Sequence, residues 1–230
     1  MAHAKLKQTA GASPSPLPVQ AASLQDAAYE EIKRRIITLK LKPGEQLNID
    51  LLSSALGMGR TPIHMALKRL AHESMVSIIA RKGVVVRDIV LNEILEGIDV
   101  RLVNESYCVR LAAERASKED ARELKEILDR GPDLIARLDL ESLMNLDREF
   151  HITISRIARN QVLSDLLSSF HERSLRFWFI SLSNERHLRE VQKQHRDIYD
   201  RIVANDPRGA TEAIVFHISA FRANISASVW

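Results

Sequence analysis

The stretch "LGMGRTPIHMALKRL", Leu56 to Leu70, decides the fold. Gly57 and Gly59 supply a tight turn, Thr61 reads as an N-cap and Pro62 as the first helical residue. Ile63, Ala66, Leu67 and Leu70 then recur on one helical stripe, while Arg60, Thr61, His64, Lys68 and Arg69 fall on the other side. This pattern predicts a short amphipathic helix that presents a basic, polar face.

Working outward, "NIDLLSSALG" before the turn predicts a second short helix stopped by Gly57. Further upstream, "SLQDAAYEEIKRRIITLK" starts at Ser23 and places Leu24, Ala27, Ala28, Ile32, Ile36 and Leu39 on one stripe, before "KPGEQL" breaks it. Downstream the period changes. "VSIIA" and "VVVRDIV" are β-branched runs separated by Arg81, Lys82 and Gly83, which predicts a small hairpin with a basic tip. Three helices and a hairpin in this order form a winged helix-turn-helix.

Beyond about Leu91 the pattern is helical throughout. "NEILEGIDVRLVNESYCVRLAAERAS" reads as one long helix. "SKEDARELKEILDR" opens on a capping box, Ser117 with Asp120, and ends at Gly131-Pro132. Further helices are expected from Asp133 to about Leu138, Glu141 to about Arg159, Val162 to about Leu182, Arg186 to about Asn205, and from Pro207 onward. Short loops imply an antiparallel bundle. The expected organisation is a tail at 1–22 with three prolines, a winged domain at 23–90 and an all-helical domain at 91–230, mainly α overall.

Composition narrows the class of function. The chain of 230 residues, 45% hydrophobic, can bury a sizeable core. Cys108 is its single cysteine, which excludes an internal disulfide and a zinc ribbon. The first twenty residues lack the apolar core of a secretory signal, and no apolar run approaches membrane-spanning length. A cytoplasmic protein without a membrane partner is expected. The net charge of +3 is unevenly spread: Ser23 to Val90 carries eleven Lys and Arg against seven Asp and Glu, leaving the region from Leu91 mildly acidic. A basic front end suits an anionic partner.

The second helix of a helix-turn-helix enters the major groove by its N-terminal residues, here Arg60, Thr61 and His64, with Lys68 and Arg69 one and two turns further along. Arg60 could fork onto a guanine, Thr61 and the helix N-terminus suit a phosphate, and Arg81 and Lys82 beside Gly83 could reach the neighbouring backbone.

In the helical half, Asp147 and His151 lie four residues apart in "NLDREFHITI", His195 is mid-helix in "VQKQHRDIYDRI" and His217 mid-helix in "AIVFHISAF". His171 sits on another helix and His187 in an expected loop. Apolar neighbours at helical spacing, such as Phe150 and Ile154 or Ile198 and Ile202, point the first three histidine positions inward. Three imidazoles and a carboxylate in a bundle core would suit a divalent transition metal with positions left open.

Both halves resemble a known family. "LLSSALGMGRTPIHMALKRLAHESMVSIIARKGVVV", Leu51 to Val86, is similar to the winged domain of the GntR family of bacterial transcription regulators. Arg60 falls on the family's first recognition-helix arginine. His64 replaces the second arginine, Gly59 the usual serine, and Ser74 the glycine of the "GLV" corner, which implies DNA binding with an altered operator preference. "DREFH", "HRDI" and "FHI" resemble the FCD ligand-binding domain of the FadR subfamily, with "LAAERA" and an early "R...E" on Arg101 and Glu105.

The resemblance implies a metal held by Asp147, His151, His195 and His217: zinc first, with nickel or manganese as alternatives. It also implies a small carboxylate or sugar-acid effector, gripped by an arginine. Arg101 is the first candidate, its alternative being an ion pair with Glu105. Arg173 and Arg176 rank behind it, and Trp178 reads as core. The implied protein is a homodimer on a double-stranded, pseudo-palindromic operator. A metal-dependent regulator whose ion is structural, or is itself the signal, is the alternative reading. A hydrolase is disfavoured, because no HExxH or comparable carboxylate pair accompanies the histidines.

Overall fold

The computed structural model describes residues 23–181 and 185–228, without the side chains of Arg173, Ile180, Ser181, Ala227 and Ser228. The expected tail at 1–22 lies outside the described residues. The chain runs α1 (Leu24–Ile37), β1 (Gln46–Leu47), α2 (Ile49–Leu56), α3 (Arg60–His72), β2 (Val76–Ile79) and β3 (Gly83–Val86). It continues through α4 (Leu91–Arg115), α5 (Lys118–Asp129), α6 (Gly131–Ala136), α7 (Leu140–Ile157), α8 (Gln161–Ser181), α9 (Glu185–Val203) and α10 (Pro207–Ser228). The protein is mainly helical, a winged helix-turn-helix followed by a helical bundle.

Local chemistry sets the boundaries. The Ser23 side chain accepts from the Asp26 amide to start α1, and Asn48 caps α2 in the same way. Gly57 ends α2 at φ 62°, a left-handed conformation that glycine adopts without a steric penalty. The helix α3 differs from the sequence reading. It starts at Arg60, with Gly59 extended at the cap position and no side-chain cap, so Thr61 and Pro62 lie inside the first turn. Proline is tolerated there because first-turn amides have no intrahelical acceptor.

The wing gains a strand that the sequence reading took for a break. Gln46 pairs with Val85 and Leu47 with Val84, and β3 also pairs with β2, so the sheet order is β1-β3-β2, all antiparallel. Two residues are too few to show an alternation. A second correction concerns Gly131-Pro132: it opens α6 instead of ending α5, with proline in the first turn. The capping box of Ser117 and Asp120 stands at the start of α5.

Two apolar clusters organise the chain. Tyr29, Ile32, Ile36, Ile63, Leu67, Leu70, Val76 and Val86 form the front one; α4 to α10 share the larger one around Val109, Leu124, Phe150, Ile198 and Ile218. Ile37, at the end of α1, belongs to the larger cluster. Polar ties also join the two. Lys33 pairs with Glu172, Arg34 with Glu141 at 3.2 Å, and Arg176 donates to the carbonyls of Arg87 and Asp88 at 2.8 and 3.1 Å. Among the described residues, no helix is long and apolar enough to cross a membrane.

Candidate functional site

Three helices of the bundle bring four polar side chains together in the buried interior. Asp147 and His151 come from α7, His195 from α9 and His217 from α10, and one ligand atom of each lies within 4.8 Å of all the others. The spacing of four between Asp147 and His151 places both on one face of α7. His195 Nε2 lies 3.4 Å from Asp147 Oδ1, and the His195 and His217 rings are 4.7 Å apart.

Burial makes this arrangement costly without a shared partner. Asp147 Oδ1, His151 Nε2 and His195 Nε2 are buried, and none has a hydrogen-bond partner among the described residues. Each orphaned buried polar atom costs about 1–3 kcal/mol. Three in one place would be satisfied together by one cation accepting their lone pairs. Burial pushes the Asp147 carboxyl above its ordinary range and holds His195 and His217 well below theirs, which favours the neutral imidazole, the form that ligates.

The far sides of these groups are held. His217 Nδ1 contacts Gln194 Oε1 at 2.9 Å, and Trp178 hydrogen-bonds Asp147. Phe150, fully buried, stacks on His195 at a centroid distance of 4.5 Å. His151 Nδ1 lies 3.0 Å from Glu105 Oε2. His171 is also drawn in: its ring is 4.8 Å from that of His151, and Glu105, His151 and His171 form a second group of convergent ligand atoms. His187, expected in a loop, lies on α9.

Arg101 makes the ion pair with Glu105, its alternative reading. It is buried and donates from Nε to Glu105 Oε1 at 2.6 Å, and it also lines a small cavity of about 20 Å³ with Asp147, Trp178, Val191, Gln194 and His217. That volume holds about one water. Arg176 is spent on the carbonyls of Arg87 and Asp88 and does not line this cavity. The side chain of Arg173 lies outside the described residues. A larger cleft of about 420 Å³, lined by Ile36, Arg87, Ile94, Phe170 and Arg176 among others, separates the winged half from the bundle without touching the four convergent residues.

At the opposite end, α3 buries Ile63, Ala66, Leu67 and Leu70 and exposes Arg60, Thr61, His64 and Lys68. Arg81, Lys82 and Gly83 are exposed at the wing tip. Two of the basic side chains are engaged within the chain. Arg60 Nε pairs with Asp50 Oδ1 at 2.6 Å. Arg69, although exposed, lies 3.5 Å over the Tyr29 ring and pairs with Asp26 and Glu73 at 3.5 and 3.4 Å, so it braces α3 against α1. The sequence pattern missed this brace because Tyr29 lies forty residues upstream of Arg69.

Comparison with known proteins matches both halves. The model for bacterial regulatory proteins of the gntR family covers residues 24–86, and the FCD domain model covers residues 96–220. The Nta operon transcriptional regulator of Aminobacter aminovorans is 30% identical over 158 residues, which cover 66% of this chain and 74% of that protein. The HTH-type transcriptional regulator McbR of Escherichia coli is 25% identical over 195 residues, 84% of this chain and 88% of that one. The solved structure of E. coli McbR/YncC has a TM-score of 0.80 at 23% identity, covering 91% of this chain and 100% of its own, which speaks for a shared fold.

Proposed function

This chain belongs to the GntR family of bacterial regulatory proteins, in the branch that carries an FCD domain, and is a DNA-binding transcription regulator; from that premise we propose that its helical half senses a divalent metal ion together with a small anion. The observation that carries the proposal is the set of three orphaned buried atoms on Asp147, His151 and His195, converging with His217. A carboxylate and three imidazoles favour a transition metal, zinc before nickel or manganese. When bound, the ion supplies open positions for a carboxylate or hydroxyl oxygen. The chain supplies the rest: Arg101 beside Asp147 and His217 offers a guanidinium for the anion, and Trp178 and Val191 exclude water.

A second reading has its own support. The cavity at Arg101 has room for about one water, so an ion with a single water as its remaining ligand fits without any rearrangement. In that case the ion itself is the signal. An organic-acid effector requires the cavity to open.

On the DNA side, Arg60, Thr61, His64 and Lys68 on α3, with Arg81, Lys82 and Gly83 at the wing tip, are proposed to meet a double-stranded operator. Arg69 is assigned to the α1–α3 brace. A homodimer on a two-fold operator is proposed. It is supported by large apolar side chains left exposed on two helices that pack together, Val103 and Tyr107 on α4 and Val215 and Phe216 on α10. The protein is read as a cytoplasmic regulator and not an enzyme, in keeping with relatives that are themselves regulators.

The mechanism follows from linkage. A ligand that binds one spacing of the two winged domains better than another shifts the population that fits both half-sites. Titrating a labelled duplex from the gene's own upstream region, with zinc alone and with zinc plus a panel of small organic acids, tests the reading. Sequence-selective, salt-sensitive binding that responds to zinc, or to zinc with an acid, supports it. Binding indifferent to both refutes the sensing role.

A further inference from the structure

One buried carboxylate near the four convergent residues is left over. Glu105 is on α4, 4% exposed, and faces three cationic or ligating groups from three helices. Arg101 Nε holds its Oε1 at 2.6 Å, and its Oε2 lies 3.0 Å from His151 Nδ1. His171 Nε2 lies 3.7 Å from Oε1, beyond hydrogen-bond reach. We infer that Glu105 is a positioning residue for the proposed metal centre: its carboxylate accepts a hydrogen bond from His151 Nδ1–H and so presents Nε2, the orphaned nitrogen, to the ion.

The inference rests on the metal reading and adds a residue to it. A neutral imidazole carries one proton, and the acceptor it finds decides which nitrogen keeps a lone pair. In this interior Glu105 Oε2 is the acceptor beside Nδ1, whereas Nε2 has none. Glu105 is not read as a ligand in its own right. An ion seated between Glu105, His151 and His171 would take His151 Nδ1 as ligand, leave Nε2 orphaned, and lie against the Arg101 guanidinium.

Arg101 has its own part in this. It neutralises Glu105, so the carboxylate can be buried at the price of a single ion pair, and it fixes the rotamer that aims Oε2 at His151. Because Arg101 also lines the anion cavity, an anion that draws its guanidinium away from Glu105 loosens the His151 ring. Metal and anion affinities are therefore coupled, with equal effect in each direction.

The test uses the full chain, stripped of metal by chelation and titrated with zinc against a chromophoric chelator, in wild type, Glu105→Gln and Glu105→Leu. Circular dichroism and long-range ¹H–¹⁵N spectra of the histidine rings are recorded for each. Loss of an outer acceptor weakens metal binding by about 10- to 100-fold. Glu105→Leu is expected to show that loss, and its metal-free His151 ring to populate both tautomers. Glu105→Gln, whose amide oxygen still accepts from Nδ1, keeps the Nδ1–H tautomer and loses less affinity.

Should Glu105→Leu misfold around an unpaired Arg101, the double variant Arg101→Met with Glu105→Leu removes both charges and carries the same expectation. Zinc affinity within threefold of wild type in a folded leucine variant, or an unchanged His151 tautomer, overturns the assignment alone. A wild-type chain that takes up no zinc overturns the metal reading and this assignment with it.

Discussion

The pair between Asp50 and Arg60 ties the first residue of α3, the helix proposed to read DNA, to α2. Arg60 Nε lies 2.6 Å from Asp50 Oδ1, with side chains 71% and 62% exposed. An ion pair this open contributes about 0.2–1 kcal/mol. In the proposed DNA contact Arg60 relinquishes this pair to fork onto a base, and the Asp50 carboxylate would then repel the phosphates. Asp50→Asn is therefore expected to tighten operator binding by about 1.5- to 5-fold, the same 0.2–1 kcal/mol expressed as a ratio. Arg60→Ala should weaken it by about 1–3 kcal/mol and relax selectivity at one base pair.

Fluorescence anisotropy of a labelled duplex at fixed salt reads both effects, and the double variant closes the cycle. If the gain from Asp50→Asn passes through Arg60, it shrinks toward zero in the Arg60→Ala background. Folding stability moves the other way. Asp50 lies in the first turn of α2, where its charge favours the helix, so the variant should be slightly less stable while binding more tightly. Unchanged or weaker DNA binding by Asp50→Asn, alongside a clear loss in Arg60→Ala, would refute the reasoning.

Other perturbations test separate parts of the account. Ser74 stands in the left-handed region at φ 61°, where the related pattern has glycine, so Ser74→Gly should stabilise the chain by about 0.5–1 kcal/mol in urea unfolding, and a loss of stability would contradict the backbone argument. Phe150→Ala empties a fully buried site against His195 and should cost about 3–5 kcal/mol; a cost under 1 kcal/mol would mean that the ring is not a core element.

Glu31 is held near pH chemistry that unfolding releases: hydrogen bonds from Arg34, then Arg35, outweigh burial and lower its pKa to about 2. A depressed carboxyl stabilises the fold above its unfolded value and loses that contribution as pH falls toward the folded one. The stability gap between wild type and Glu31→Gln should therefore be full near pH 6 and narrow as pH falls below about 4.5. A gap that stays constant down to pH 3 would rule out this linkage.

The sequence carried much of the fold because several of its signals are local. Gly57, the apolar stripe of α3 and the β-branched runs around Arg81 are each decided within a few residues, and the structure follows them. β1 was illegible because its two residues pair with Val84 and Val85 almost forty positions away. The metal candidates were legible in part through the spacing of Asp147 and His151 on one helix face. Their support was not: Glu105, Gln194 and Trp178 acquire roles only when α4, α8 and α9 pack against α7 and α10. Arg69, expected at DNA, and Arg176, a candidate for the effector, are tied to Tyr29 and to the carbonyls of Arg87 and Asp88, partners too distant in sequence to be read from it.

The central claim is that Asp147, His151, His195 and His217 hold one divalent ion inside a DNA-binding regulator. Isothermal titration of the metal-stripped chain with zinc tests it most directly, with His195→Ala and His217→Ala in parallel. The account predicts saturation near one ion per chain in wild type, and a loss of at least tenfold in affinity in each variant that remains folded. No saturable binding in wild type, or binding unchanged when His195 and His217 are removed, would contradict it.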